Sequence, residues 1–416
     1  MVGKPAKIRD DLIHQVLLRP TVFEDETPLS LEHIPGTLPH REKQLIFLAQ
    51  LFRSLIEKPG STSQRVLITG PVGTGKTVMA QRFGLDLVKI ARDRKIGLRY
   101  IHVNCRECKG SLFAVLRKVM NEFEEQFPKR GFSSEELLQA IMRILDEKNL
   151  FLILALDELE ALLEADNSAL YALTRVQEDR ATSPVRLSLI CMLRELKYLE
   201  LLDRSTVSTL QQNLIELNPY VSNELFTILK DRVTLAFKEG VVQDETIELA
   251  ADIASSSGDA RYAIELLWRA GKYADYDDSK DVKPEYVRKA AGTVYPTLRD
   301  EYLRTLSLNE KLFLLALSRY LEDNNAAYAS MGEIEEAYKV VCEEYNSQPR
   351  AHTQFWKYMR LLSATGLIST KLSSKGAKGR TTMIGLSSIS ASTMKKCIEA
   401  ALEVFSTDVA RNSRTT

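Results

Sequence analysis

The chain has 416 residues, 44% hydrophobic and 27% charged, a globular composition with room for two or three domains. Its 56 basic and 56 acidic side chains cancel, which argues against a protein that binds polyanions over its whole surface. No run is long and apolar enough to cross a bilayer, and residues 1–19 lack an apolar signal core, so a cytoplasmic protein with no membrane partner is expected.

Residues 1–40, with Pro20, Pro28, Pro35 and Pro39, read as an irregular leader draped on the domain that follows. An amphipathic helix is predicted over 42–57, stopped by Lys58-Pro59-Gly60. Residues 65–69 read as a buried strand and 78–90 as a helix. Between them lies Gly70-Pro71-Val72-Gly73-Thr74-Gly75-Lys76-Thr77, which fits the phosphate loop G-x-x-x-x-G-K-[ST] in its required strand–loop–helix setting. A second strand is predicted at 98–104. Cys105 and Cys108 follow as a lone C-x-x-C; with no second pair at metal spacing, reduced structural thiols are expected. Helices are predicted at 111–126 and 134–147, then an uninterrupted apolar strand at 151–156, a helix near 166–178 and a strand at 186–193. This alternation predicts an α/β domain with a parallel sheet over 41–220.

From about Ser222 only helices are predicted, at 222–239, 244–256, 260–274 and 284–291, with Tyr273–Lys280 as a polar loop; together they make a small helical domain over 221–297. A third unit, 298–400, has helices at 309–321, 331–346 and 352–364. Two strands, 367–372 and 381–386, flank Ser373–Arg380, and 401–416 reads as a tail. Three helices and a hairpin make a winged-helix pattern. Charge is unevenly spread here: 301–349 is acidic by about five, and 350–416 is basic by about eight.

The chemistry concentrates in three places. Pro71, Val72, Gly73, Thr74 and Gly75 would wrap a phosphate chain, Lys76 would reach its β- and γ-phosphates, and the Thr77 hydroxyl would ligate Mg²⁺. Asp157 and Glu158 end the apolar strand, where α/β sheets place ligands; Asp157 is expected to orient Mg²⁺ and Glu158 to act as general base. Arg261, after Gly258-Asp259-Ala260, sits in the first turn of a helix, where a cation opposes the helix dipole unless an anion lies nearby. In 350–365, Phe355, Met359 and Leu362 form a core stripe with Tyr358 and Leu361 beside it. Arg350, Thr353, Gln354, Lys357 and Arg360, with Lys375, Lys378 and Arg380 of the hairpin, are then candidates to meet double-stranded DNA. Winged helices also bind proteins, so that role stays open.

This constellation resembles the archaeal initiators related to the origin-recognition complex and the cell-division-control loader, which are AAA+ ATPases. The likeness covers nearly the whole chain. Pro39-His40-Arg41-Glu42 resembles the segment beside the nucleotide, GPVGTGKT and LDELE the Walker A and B motifs, Val103-Asn104-Cys105 the end of the second strand, and Leu170–Arg175 the helix after Walker B. The resemblance implies ATP or ADP with Mg²⁺, nucleotide contacts from Pro39 and Arg41, and a lid arginine, Arg261, that reaches phosphates. It implies an insertion near 111–132 that grips origin DNA together with the winged helix. Related initiator paralogues and a replicative helicase are implied as further partners. Two positions depart from the pattern. Arg194 stands where an asparagine is usual, and Asp203-Arg204-Ser205-Thr206 has its arginine displaced by one. Good ATP binding with weak turnover is therefore expected. A DNA-binding regulator of initiation or transcription with little turnover, and a signalling NTPase whose winged helix contacts protein, stand as alternatives.

Overall fold

A computed structural model describes residues 13–14, 17–123, 131–177, 184–211, 213–294, 306–364, 367–372, 381–386 and 389–412. They divide into two units. One is Glu32–Glu224 with Ser257–Ala260; the other comprises the described residues up to Leu31, Leu225–Ser256 and those from Arg261 onward.

The first unit opens with α1 (Glu42–Leu51) and α2 (Arg53–Glu57) rather than one continuous helix. The break falls at Phe52, whose fully buried ring packs 5.1 Å from that of Phe83. Then come β1 (Arg65–Thr69), α3 (Lys76–Asp93), β2 (Leu98–Asn104), α4 (Leu112–Asn121), α5 (Ser134–Glu147), β3 (Phe151–Asp157), α6 (Glu160–Ala165), α7 (Ala169–Arg175), β4 (Leu187–Leu193), α8 (Arg204–Gln211) and β5 (Leu214–Glu216). The helix predicted at 166–178 is thus preceded by α6, and α4 ends five residues early. α5 starts on a full capping box, Ser133 with Glu136.

The five strands are parallel in the order β2-β3-β4-β1-β5. Every residue of β3 and β4 is buried, because a parallel sheet is covered on both faces. Val66, Ile68, Ile153 and Ile190 pack with Phe52 and Phe83 on one face; Leu67, Leu154 and Leu189 pack with Val115 and Ile141 on the other. The C-terminal ends of β1 and β3 therefore open at the same edge of the sheet, where such folds bind ligands.

In the second unit, α9 (Ser222–Ala236) is followed by α10 (Asp244–Ser255), α11 (Ala260–Tyr276) and α12 (Pro284–Val294). Tyr273–Tyr276, expected in a loop, extend α11: Ala274 is fully buried, and Asp275 accepts hydrogen bonds from Thr21 Oγ1 and Val22 N. While Pro35, in the first unit, accepts from Arg82 Nη1 of α3, residues 21–28 of the leader accordingly pack on these helices. Phe23 is the cause: it is buried, 4.7 Å from the Phe237 ring and tight against Gly271.

The winged part contains α13 (Leu308–Asp323), β6 (Ala329–Ser330), α14 (Met331–Glu344), α15 (His352–Ala364), β7 (Ile368–Leu372), β8 (Thr382–Leu386) and α16 (Ala391–Asn412). Its antiparallel sheet has the order β6-β8-β7, so the expected hairpin gains a two-residue third strand. α16 runs through residues expected in a tail, because Met394, Ile398 and Leu402 recur at helical spacing and are buried. A polar seam joins the helical and winged parts. Arg288, fully buried, donates from Nη2 to Ala326 O (2.6 Å) and Ala327 O (2.9 Å). Glu245 accepts from Ala327 N at 2.7 Å, and Glu285 accepts from Ala391 N and Ser392 N at the start of α16. The Tyr328 hydroxyl is hydrogen-bonded to Asp252.

Candidate functional site

The phosphate loop joins β1 to α3, and its glycines are there for steric reasons. Gly73 has φ +75°, and a Cβ on it would lie 1.9 Å from Asp259 Oδ1; a Cβ on Gly70 would lie 2.3 Å from Leu217 O. Thr74 is buried and donates to Pro71 O at 2.9 Å, which ties the loop to itself. Pro71 and Val72 are exposed at the rim. Gly75 is the left-handed residue before α3, so the first N–H groups of an 18-residue helix face the loop's hollow. Lys76 Nζ donates to Gly70 O (2.6 Å) and Pro71 O (2.8 Å), which holds its ammonium over the loop.

Arg41 supports the loop from beneath. It is buried and donates to Thr74 O (3.1 Å), Asn218 O (2.7 Å) and His40 O (3.2 Å), with its guanidinium 3.8 Å from the centre of the Tyr220 ring. Its described bonds go to backbone carbonyls, which makes it a positioning residue for the loop. Pro39 is half-buried in the turn before it. Arg41→Ala is expected to lower the stability of the protein by about 2–3 kcal/mol by leaving carbonyls unsatisfied, measurable as a shift in the denaturant midpoint.

Thr77 Oγ1 donates to Asp157 Oδ2 at 2.6 Å, so the start of α3 and the end of β3 meet through the two residues expected to hold Mg²⁺. His102 on β2 adds a third group, 3.3 Å from the same oxygen. Burial alone would raise the Asp157 pKa; hydrogen bonds from His102, Thr77 and the Glu158 N–H outweigh it and hold the carboxyl below its ordinary value. Among the described residues, Thr77 and Asp157 thus present a hydroxyl and an ionised carboxylate to one point, a donor set that fits a hard cation.

Glu158 has the left-handed backbone conformation, φ +47°, a strained state for a non-glycine residue. Both of its carboxylate oxygens are engaged by arginines: Arg106 Nε lies 2.8 Å from Oε2 and Arg194 Nη2 lies 2.9 Å from Oε1. Arg194 Nε also lies 3.0 Å from Oε1 of Glu160, which is buried. Burial would lower the Arg194 pKa, but Glu158 and Glu160 outweigh it and keep the guanidinium charged. Arg194 therefore spans two carboxylates. Asp203, at the other departure, caps α8 through Ser205 and Thr206, and Arg175 Nη2 donates to Ser205 Oγ at 3.1 Å. Arg261 belongs to the second unit and is exposed in the first turn of α11. The preceding Ala260 N–H donates to Gly73 O at 3.2 Å, within the first unit.

In α15, Phe355, Tyr358, Met359 and Leu362 are buried in the winged-helix core. Leu361, expected beside them, is 41% exposed, since one residue turns it about 100° from Leu362. Thr353, Lys357 and Arg360 face outward, Arg350 is exposed just before the helix, and Gln354 is half-buried. Lys375, Lys378 and Arg380 lie outside the described residues, as do 124–130 of the expected insertion. Lys371 on β7 was not singled out in the sequence. It pairs with Glu248 (2.6 Å) and Asp252 (3.4 Å) of α10 and lies over the Tyr328 ring. Arg106, His102 and Tyr220 were likewise unmarked, and Glu160 entered only as the last residue of LDELE. Only Arg106 carried a local signal, a cation just past the end of β2.

Family models match three stretches: an AAA domain at 57–199, a Cdc6 AAA+ ATPase-type lid domain at 226–292, and the CDC6 C-terminal winged helix domain at 301–396. The ORC1-type DNA replication protein 2 of Sulfurisphaera tokodaii is 38% identical over 386 residues, covering 91% of this chain and 92% of the relative. The ORC1-type DNA replication protein of Thermococcus kodakarensis is 32% identical over 371 residues, covering 88% of each. Among solved structures, Cdc6p of Pyrobaculum aerophilum matches with a TM-score of 0.82 at 30% identity, covering 92% of this chain and 99% of that one. Aeropyrum pernix ORC1, solved in complex with DNA, matches with a TM-score of 0.60 at 27% identity, covering 92% and 97%.

Proposed function

The chain belongs to the archaeal ORC1/Cdc6-type family of DNA replication proteins, with an AAA+ domain, a Cdc6 lid and a C-terminal winged helix, and from that premise we propose that it is an ATP-binding, nucleotide-switched initiator that recognises double-stranded origin DNA and hydrolyses ATP slowly. The observation that carries this function is the outward face of α15, with Thr353, Lys357 and Arg360, in a chain that also holds a glycine-built phosphate cradle. The DNA-bound state of Aeropyrum pernix ORC1 supports it by kinship.

Lys76 would pair with the outer phosphates, and the α3 N-terminus and loop backbone would receive the rest. Thr77 and Asp157 would hold Mg²⁺, which supplies charge neutralisation on the phosphates. Glu158 would take the proton of the attacking water once one of its arginines lets go. Arg261 would report the nucleotide to the lid. Related initiator paralogues and a replicative helicase are proposed as later partners, in a cytoplasmic, nucleoid-associated protein.

A second function is favoured by one observation, the grip of Arg106 and Arg194 on Glu158: a DNA-binding regulator with a nearly static nucleotide. Genome-wide mapping of binding sites separates the two, since clustering at a replication origin supports the initiator and scattered promoter sites support the regulator. DNA contacts divide in a titration at several salt concentrations. Lys357→Ala is expected to cost about 1–3 kcal/mol of preference for the cognate site. Arg380→Ala is expected to weaken all sequences alike and reduce the salt slope by about one. Unaltered binding in both variants would turn the winged helix into a protein-contact module.

A further inference from the structure

Trp356 lies at the flank of the outward face of α15, three residues after Thr353 and four before Arg360, with Lys357 adjacent. One residue turns it about 100° from Phe355, so it borders the Phe355–Met359–Leu362 stripe on the side of the wing, and it is 46% exposed. Its indole forms one wall of a groove of about 470 Å³ between α15 and the wing, with Met359 and Ser363 on the helix and Leu372, itself 65% exposed, on β7. Among the described residues the indole N–H has no hydrogen-bond acceptor.

A half-exposed aromatic plate at the edge of a cationic helix face calls for a partner that is both anionic and locally apolar. Phosphates satisfy Lys357 and Arg360, and one could accept from the indole N–H, but they offer nothing to the apolar face of its rings. The major groove supplies the missing apolar group in one place, the C5-methyl of thymine. A protein partner matched to this face would have to bury the two cations against its own carboxylates, whereas duplex DNA meets the charge and the apolar group together.

We propose that Trp356 is a specificity-determining residue that reads thymine: when α15 enters the major groove, the indole packs against thymine methyl groups. This rests on the DNA-binding function proposed above and deepens it by naming the base feature recognised.

The test selects duplexes from a random-sequence library with the full chain, then replaces each thymine of the selected duplex in turn by deoxyuridine, which removes only the methyl. Wild type is expected to lose about fourfold in affinity for each methyl that meets the indole. Trp356→Ala should bind the original duplex more weakly, show no such loss at those positions, and keep the wild-type salt slope, since an apolar contact releases no counterions. Trp356→Phe should restore part of the methyl sensitivity and guards against a folding defect. If wild type binds its selected duplex but ignores the substitution, or Trp356→Ala remains as sensitive as wild type, the thymine assignment is wrong while DNA binding stands. If wild type enriches and binds no duplex, the DNA-binding function itself falls, and this inference with it.

Discussion

Lys76→Ala is expected to abolish ATP binding, with affinity falling by more than about a hundredfold. The ammonium donates to Gly70 O and Pro71 O, so it is already aimed at the hollow of the loop. A charge-assisted hydrogen bond contributes about 1.5–3 kcal/mol, and a phosphate chain takes more than one from such a lysine. Arg41, the buried cation under the loop, is engaged by the backbone carbonyls of Thr74, His40 and Asn218 and so does not replace it. Lys76 is only half-buried, so the variant should fold. Titration with a fluorescent ATP analogue checks the loss, and the melting temperature should rise with nucleotide in wild type alone. Equal binding by the two proteins would show that the phosphate loop is not the nucleotide site.

Glu158→Gln is expected to leave ATP bound and to stop hydrolysis, since a carboxamide does not take the proton of water. The informative companion is Arg194→Asn. In the present arrangement both oxygens of Glu158 face guanidinium groups, at 2.8 and 2.9 Å, and a base so engaged must first give up a charge-assisted bond. Releasing one such bond is expected to speed single-turnover hydrolysis about tenfold or more. The same substitution strips buried Glu160 of its cation, so the variant should also melt lower. A rate that does not change would show that the arginine is not what limits turnover, and a fast wild-type enzyme would remove the need for the explanation.

The parallel sheet domain, the helical lid and the winged helix were legible because each rests on local signals: an apolar run for β3, a glycine-rich loop between a strand and a helix, a stripe in α15. What escaped depends on distant partners. The pairing of Arg106 and Arg194 with Glu158 joins three segments, and no periodicity places a guanidinium beside a carboxylate. β5 has three residues and β6 two, too few to show alternation. The position of Phe23 escaped for a similar reason: Pro residues mark irregular chain but not the surface it covers, and Phe23 finds its pocket only once Phe237 and Gly271 are in place. Leu361 shows the limit of a stripe read by eye, since a hydrophobic residue one step from the core face can still point to water.

The seam between lid and winged helix bears on heredity. Paralogues that arise by duplication can diversify by exchanging or altering their winged helices. The bonds across the seam run from the side chains of Arg288 and Glu285 to backbone groups, the carbonyls of Ala326 and Ala327 and the N–H groups of Ala391 and Ser392. Every residue of a homologous winged helix but proline carries both groups, so the seam tolerates a winged helix with a different outward face as long as its backbone keeps this path. Losing Arg288 or Glu285 is another matter, because buried carbonyls and N–H groups would be left unsatisfied. The winged helix is therefore free to vary its surface by descent, while the two side chains that seat it are expected to stay fixed.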